Sequence, residues 1–197
     1  MVDREQIHKI FNKWFLANDS ESVEVTINGV VNVASSVEAQ IRGEDFPNGE
    51  LPVQFGRIDG DFRLSYCELT SLKGMPTEIT GPLNLTGNKL TSLVGCTQKI
   101  GGFLRLRSNP QLKTLDGFPT QLGEFVSLDW TPNLPLLRTL LAKQGVALWA
   151  NQMTTEDQDN AAQVEKILNK YHGQGKRALF ECQKELEDEG FEGNARW

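Results

Sequence analysis

The sequence predicts an α+β solenoid, in which short parallel strands stack coil on coil between a helix at the front and a helical region at the back. Three observations carry that prediction. Leu64, Leu85, Leu106 and Leu128 recur at nearly constant spacing, and the period is one that belongs to stacked-coil proteins. Each is preceded two positions earlier by Phe62, Leu83, Leu104 or Val126, the alternation of a strand with one face turned inward. The segments on either side lose this period and take up a helical one.

The front element is a helix. Asp3 is placed to cap it, with Gln6 three residues on as a reciprocal partner, and Ile7, Ile10, Phe11, Trp14 and Phe15 share one face. Asn18-Asp19-Ser20 is expected to end it, so residues 1–21 form an N-terminal capping helix that keeps the first coil's apolar end out of water.

The solenoid is predicted over residues 22–134. Its register reads Ile-x-Gly-x-apolar-x-apolar-x-x-small. Ile27, Gly29, Val31, Val33 and Ser36 fill the first coil, on a strand read from Ser22 to Val33. Ile58, Gly60, Phe62, Leu64 and Cys67 fill the second. Ile79, Gly81, Leu83, Leu85 and Asn88 follow, then Ile100, Gly102, Leu104, Leu106 and Asn109. Leu122, Glu124, Val126 and Leu128 make a degenerate last coil. The step from Ile27 to Ile58 is half as long again as the later ones. It predicts an insertion within Glu38 to Leu51, where Gly43, Pro47 and Gly49 mark loop. After each strand an Asn or Cys turns the chain, an Asn amide being able to satisfy turn backbone. Leu69 and Leu72, Leu90 and Leu93, and Leu112 and Leu115 point back into the core, and Gly74, Gly95 and Gly117 allow tight bends.

Residues 135–197 read as a C-terminal helical cap. Leu136 to Gln144 is predicted helical and stopped by Gly145, and Val146 to Trp149 is a short apolar run suited to an edge strand. Thr154 starts a helix with Ala161, Val164, Ile167, Leu168 and Tyr171 on its buried face. A last helix runs from about Lys176 to Glu189, with Leu179, Cys182 and Leu186 inward.

The strand motif Leu-x-Leu-x-x-Asn-x-Leu, with Cys allowed at the Asn place, is met by Phe62 to Leu69 and Leu83 to Leu90, and by Leu104 to Leu112 with one inserted residue. It resembles the strand half of the leucine-rich repeat. Short repeats of this period, written as in Asn88 to Gly95, and the stretch Tyr171 to Trp197, are similar to those of small proteins of tailed bacteriophages. The resemblance implies a leucine-rich-repeat-like fold that recognises protein, and a phage origin would imply host takeover or counter-defence.

Bulk properties narrow the function. With 197 residues the chain has room for one domain or one domain with a small appendage, its 39% hydrophobic content suits a thin, elongated body, and its net charge is −6. An acidic balance disfavours nucleic acid as the default ligand, because binding phosphate requires a basic face. Cys67, Cys96 and Cys182 are too few and odd in number for a disulfide framework. The start is charged, without a signal-peptide run, and no stretch is apolar enough for a membrane helix. A soluble, cytoplasmic protein is expected, in the host cytoplasm if phage-encoded.

The candidate site lies on side chains facing away from the core. Asp61, Pro82, Phe103 and Phe125 form one row, Arg63, Asn84, Arg105 and Ser127 a second, and Ser65, Thr86, Arg107 and Asp129 a third, with Tyr66 and Trp130 at strand ends. Aromatic rings beside arginines on a rigid sheet have the composition of a binding hot spot. Arg63, Tyr66, Phe103, Arg105, Arg107, Phe125 and Trp130 are therefore the candidate partner-binding residues on a concave repeat face. Coverage of these rings by a cap or a second copy is the competing reading.

Other features point to chemistry weakly. Asn88 and Asn109 are explained by the turn. Cys67 is expected buried and inert, and Cys96 sits in a loop that could expose it. A Cys nucleophile needs a base in contact, yet His8 and His172 are the only histidines and lie on opposite end elements. They also make no metal cluster. Gly173-Gln174-Gly175-Lys176-Arg177 has part of a phosphate cradle but lacks the upstream strand and motif half, so a helix–helix turn is the stronger reading. The acidic run Glu181 to Glu189 reads as a solvated helix face. The leading expectation is a non-enzymatic protein-binding module without cofactor or metal, a phage-encoded inhibitor or adaptor of a bacterial host protein. The alternatives are a self-associating structural protein and a nucleotide or phosphate binder at Lys176.

Overall fold

A computed structural model describes residues 3–40, 46–150 and 153–197. It shows an α+β architecture, a β-solenoid of about five stacked parallel turns with three helices among the described residues. In chain order the elements are α1 (Arg4–Trp14), β1 (Phe15–Ala17), β2 (Val23–Val25), β3 (Val30–Val33), β4 (Val37–Ala39), β5 (Gln54–Ile58), β6 (Phe62–Arg63), β7 (Glu78–Ile79), β8 (Leu83–Asn84), β9 (Lys99–Ile100), β10 (Leu104–Arg105), β11 (Gln121–Leu122), β12 (Val126–Asp129), β13 (Val146–Trp149), α2 (Thr155–Tyr171) and α3 (Lys176–Asp188).

Each complete coil supplies two short strands, and these stack into two sheets. The first has the order β1-β4-β6-β8-β10-β12-β13, and the second β11-β9-β7-β5-β3-β2. The first sheet contains the predicted strands, with Phe62, Leu83, Leu104 and Val126 in register. Leu64, Leu85, Leu106 and Leu128 are at most 1% exposed, so the repeat's leucines line one continuous core. Truncating one such leucine to alanine typically costs about 2–5 kcal/mol. Apart from the strand read at Ser22 to Val33, the second sheet has no counterpart in the sequence reading. Its strands β7, β9 and β11 are very short and half polar (Glu78, Lys99, Gln121), too short to show an alternation.

The corner between the two sheets requires glycine. A Cβ at Gly102 would lie 2.6 Å from the Pro82 nitrogen, and one at Gly81 would lie 2.7 Å from the Gly60 carbonyl carbon. A side chain there would force adjacent coils apart and break the Gly81 N–H to Gly60 and Gly102 N–H to Gly81 bonds, both 3.0 Å.

Behind the strands, an amide ladder fixes the turns. Asn88 accepts from the backbone N–H of Cys67 (3.1 Å) and Leu69 (3.0 Å), and donates to the carbonyls of Leu64 (2.8 Å) and Leu85 (2.9 Å). Asn109 donates to Leu85 and Leu106, both at 2.9 Å. Both side chains are buried, so each amide joins its own coil to the one before. Cys67 occupies the same place one coil earlier and offers only a weak thiol bond to Ser65.

Three expectations at the edges are corrected. The stretch Ser22 to Val33 is not one strand but a hairpin, with β2 antiparallel to β3, and Ile27 at its turn is 78% exposed instead of buried. Val33 pairs with Ile58 and Val37 with Phe62. The first step therefore runs from Val33 to Ile58 and is shorter than the expected step from Ile27. Ile27-x-Gly29 imitates the repeat signature, but antiparallel pairing of Val23 with Val33 and Val25 with Val31 claims that segment. The extra length of the first coil falls between β4 and β5, and residues 41–45 of the predicted insertion lie outside the described residues. The first helix ends at Trp14 instead of Asn18, because Phe15 and Ala17 are buried as β1, antiparallel to β4. The helix expected from Leu136 to Gln144 is a single tight turn, Leu137–Leu141. Beyond it the chain rejoins the second sheet through Ala142, opposite Leu122, and the Lys143 N–H donates to the Leu122 carbonyl.

The terminal elements agree in kind with the sequence reading. Asp3 accepts the Gln6 N–H at the start of α1, Thr154 and Asp157 form a reciprocal capping box on α2, and Val146–Trp149 is a strand, parallel to β12. α2 covers its free edge: Asn169 accepts from the Val146 N–H and donates to the Val146 carbonyl, both at 2.9 Å, while Glu165 accepts the Leu148 N–H. No helix among the described residues is long and apolar enough to cross a membrane.

Candidate partner-binding face

Alternation along the first sheet decides which side chains face outward. Leu104 and Leu106 are buried, so Phe103, Arg105 and Arg107 project the other way. The pairing of Leu104 with Val126 sets Phe103 beside Phe125. The two rings stack with centroids 5.4 Å apart and planes 23° from parallel. The Arg105 guanidinium lies over the Phe103 ring at 4.4 Å. Arg107 reaches past Asp129 to lie 3.8 Å over Trp149, the residue paired with Asp129 on β13. Guanidinium–ring contacts of this kind contribute about 0.5–2 kcal/mol and hold long side chains in one rotamer.

Tyr66 sits where the chain leaves the strand, 68% exposed. Its φ is +57°, matched one and two coils later by Gly87 at +74° and Ser108 at +57°. The turn demands the left-handed conformation, which Gly87 adopts freely and tyrosine only at a cost. The Tyr66 ring lies on Gly87, where any Cβ would come within 2.3 Å of it. Tyr66, Arg107, Ser108, Asp129, Trp149 and Met153 line a cleft of about 580 Å³. Asp129 accepts the Ser108 N–H across it.

Of the seven candidate residues, the structure groups Phe103, Arg105 and Phe125 in one cluster and places Tyr66 and Arg107 in the adjoining cleft. Arg63 lies apart: β8 separates its strand from that of Arg105, and it is paired with Asp61 at 2.6 Å. Trp130 is a correction. It is 2% exposed, and its indole N–H donates to Asn194 at 3.2 Å, so it belongs to the interior. The partner that draws it inward lies 64 residues downstream, beyond any local pattern. Trp149 escapes the sequence reading because it lies past the degenerate coil. Its signal is Val146, one further repeat step after Val126, with which it pairs.

The sulfur and charged candidates have structural explanations. Cys96 is buried, not exposed, and burial pushes the thiols of Cys67, Cys96 and Cys182 up to about 12, away from thiolate character at neutral pH. Gly173–Gly175 connects α2 to α3 as a helix–helix turn. In the acidic run of α3, Glu181 pairs with Arg177, Glu185 with Lys170 and Tyr171, and Glu189 with Gln163. No group of three or more His, Cys, Asp or Glu side chains suited to a metal ion occurs among the described residues.

No protein-family model, curated protein or solved structure matches this chain.

Proposed function

We propose that this chain is a non-enzymatic protein-binding module that docks through the outward face of its first sheet. In this reading it is a leucine-rich-repeat-like, phage-encoded inhibitor or adaptor acting on a bacterial host protein in the cytoplasm. The observation that carries the docking reading is the Phe103–Phe125 stack with Arg105 laid across it. Aromatic and arginine side chains dominate binding energy at protein interfaces. Here they stand on a hydrogen-bonded sheet and brace one another, so little side-chain entropy is left to lose on docking. Mechanism is then steric: a pre-formed surface covers a surface of the target.

The test is capture from bacterial lysate followed by mass spectrometry. A Phe103→Ala, Arg105→Ala, Phe125→Ala variant is expected to lose a specific partner that the wild type retains, with its thermal melt in place. Undiminished capture refutes the reading. A stable homo-oligomer by light scattering that occludes Phe103 would replace it with self-association, and a melting shift on adding nucleotide would move attention to Lys176.

A further inference from the structure

We infer that the cleft between Tyr66 and Trp149 reads an acidic side chain, Asp or Glu, on an extended segment of the partner protein. The inference rests on the docking reading above and gives the partner a chemistry.

Charge is the first support. Arg57 contacts Asp59 and Glu78, Arg63 contacts Asp61, Arg138 contacts Asp116 and Arg177 contacts Glu181, all within 3.0 Å. Arg105 and Arg107 contact no carboxylate among the described residues and are held by rings instead. In a chain of net charge −6, two cations on one face thus make no ion pair among the described residues. The Arg107 Nε is buried and makes no hydrogen bond. Asp129, the carboxylate in the cleft, is engaged by the Ser108 N–H at 2.5 Å.

Geometry is the second support. Stacking on Trp149 occupies a face of the guanidinium and leaves its N–H groups in plane, where a carboxylate is bound by two parallel bonds. The lining crosses successive coils from Tyr66 through Gly87 and Ser108 to Asp129 and Trp149. Strands stack about 4.8 Å apart, so the cleft runs roughly 19 Å along the stack, the length of five or six extended residues. Exposed Tyr66 and Trp149 offer apolar surface to the residue next to the acid. Nucleic acid also suits rings and arginine, but its phosphates call for a more basic face than this one.

The full chain, immobilised, is screened against a random decapeptide library. Selected peptides are expected to carry Asp or Glu beside Leu, Phe or another large apolar residue, to weaken with salt, and to shift the Arg107 Nε–H resonance. Arg107→Gln should weaken them about tenfold or more. Arg107→Lys, which keeps charge without the fork, should fall between. Both variants must melt like the wild type. Selection without acidic enrichment, undiminished binding to Arg107→Gln, or tighter binding of decathymidylate each overturns the inference. If Arg107→Gln still captures the lysate partner, the pocket reading fails and the docking face stands. If acidic peptides bind but lysate capture survives the Phe103, Arg105, Phe125 substitutions, the docking reading fails and the pocket stands.

Discussion

The two ends of the stack face the same physical problem and solve it differently. A coil with no neighbour exposes an apolar cross-section and unpaired strand edges. At the front, both sheets end in a reversed strand, β1 against β4 and β2 against β3, and the cross-section is filled with rings. Phe11, Trp14 and Phe15 pack on Phe46, Phe55 and Phe62 at centroid distances of 5.1–6.4 Å. At the back, α2 lays Val164, Ile167 and Leu168 on the core, and side-chain amides satisfy the exposed backbone. Asn169 brackets Val146 on the edge of β13, and Asn194 accepts from the Trp130 indole and donates to the Thr131 and Leu134 carbonyls at 2.9 and 2.8 Å. The back therefore continues the logic of the Asn88 and Asn109 ladder with residues from outside the repeat, whereas the front abandons it for area.

The contrast can be broken from either side. The largest effect is expected at the front: Phe15→Ala removes a fully buried ring that stacks or tilts against four others and should cost about 3–5 kcal/mol in chemical denaturation. At the back, Asn194→Ala leaves the Trp130 N–H and two carbonyls without partners and should cost about 2–3 kcal/mol. An equal loss in Asn88→Ala would show that the back amide and the ladder amides are equivalent. Asn169→Ala frees one edge position of β13 and should cost about 1–2 kcal/mol. It should also raise concentration-dependent association in light scattering, which an interior change of equal cost would not.

The smallest effect is the pH dependence of the α2–α3 clasp. The Glu185 carboxyl is held below its ordinary value, first by the Lys170 hydrogen bond and then by that of Tyr171. Its contribution is complete above the unfolded carboxylate value near 4.5 and fades as the pH falls through the lower folded value. Lys170 is held up, chiefly by Glu185, so its contribution is complete below the unfolded ammonium value of 10.5 and fades as the pH rises through the folded one. Glu185→Gln should flatten the melting temperature's fall on the acid side by a small amount, because solvent reaches the half-buried Glu185 and the exposed Lys170 and screens the pair.

The repeat was legible because Leu64, Leu85 and Leu106 each meet the same environment, so selection for burial writes one pattern three times. The front coil was not, because a hairpin and a repeat strand impose the same alternation. Val31 and Val33 satisfy both, and only the partner strand tells them apart. The second sheet hid behind its own brevity, its two-residue strands β7, β9 and β11 each carrying one apolar mark, Ile79, Ile100 and Leu122. On the candidate face, Phe103, Arg105 and Phe125 followed from the alternation of their own strands. Trp130 did not, since its burial depends on Asn194, and neither did Trp149, whose contact with Arg107 crosses a whole coil.

The amide at Asn194 also sets an order of events. Within the stack, Asn88 meets Cys67 across 21 residues, and the strands pair at the same short range, so each coil can join as soon as its predecessor is in place. Asn194 meets Trp130, Thr131 and Leu134 across 60 to 64 residues. Closing that threefold longer loop carries about 1 kcal/mol more entropy, and its docking site exists only once the final coil has formed. Folding should thus zip forward and latch last, and the latch should be the first part of the molecule to exchange its amide hydrogens.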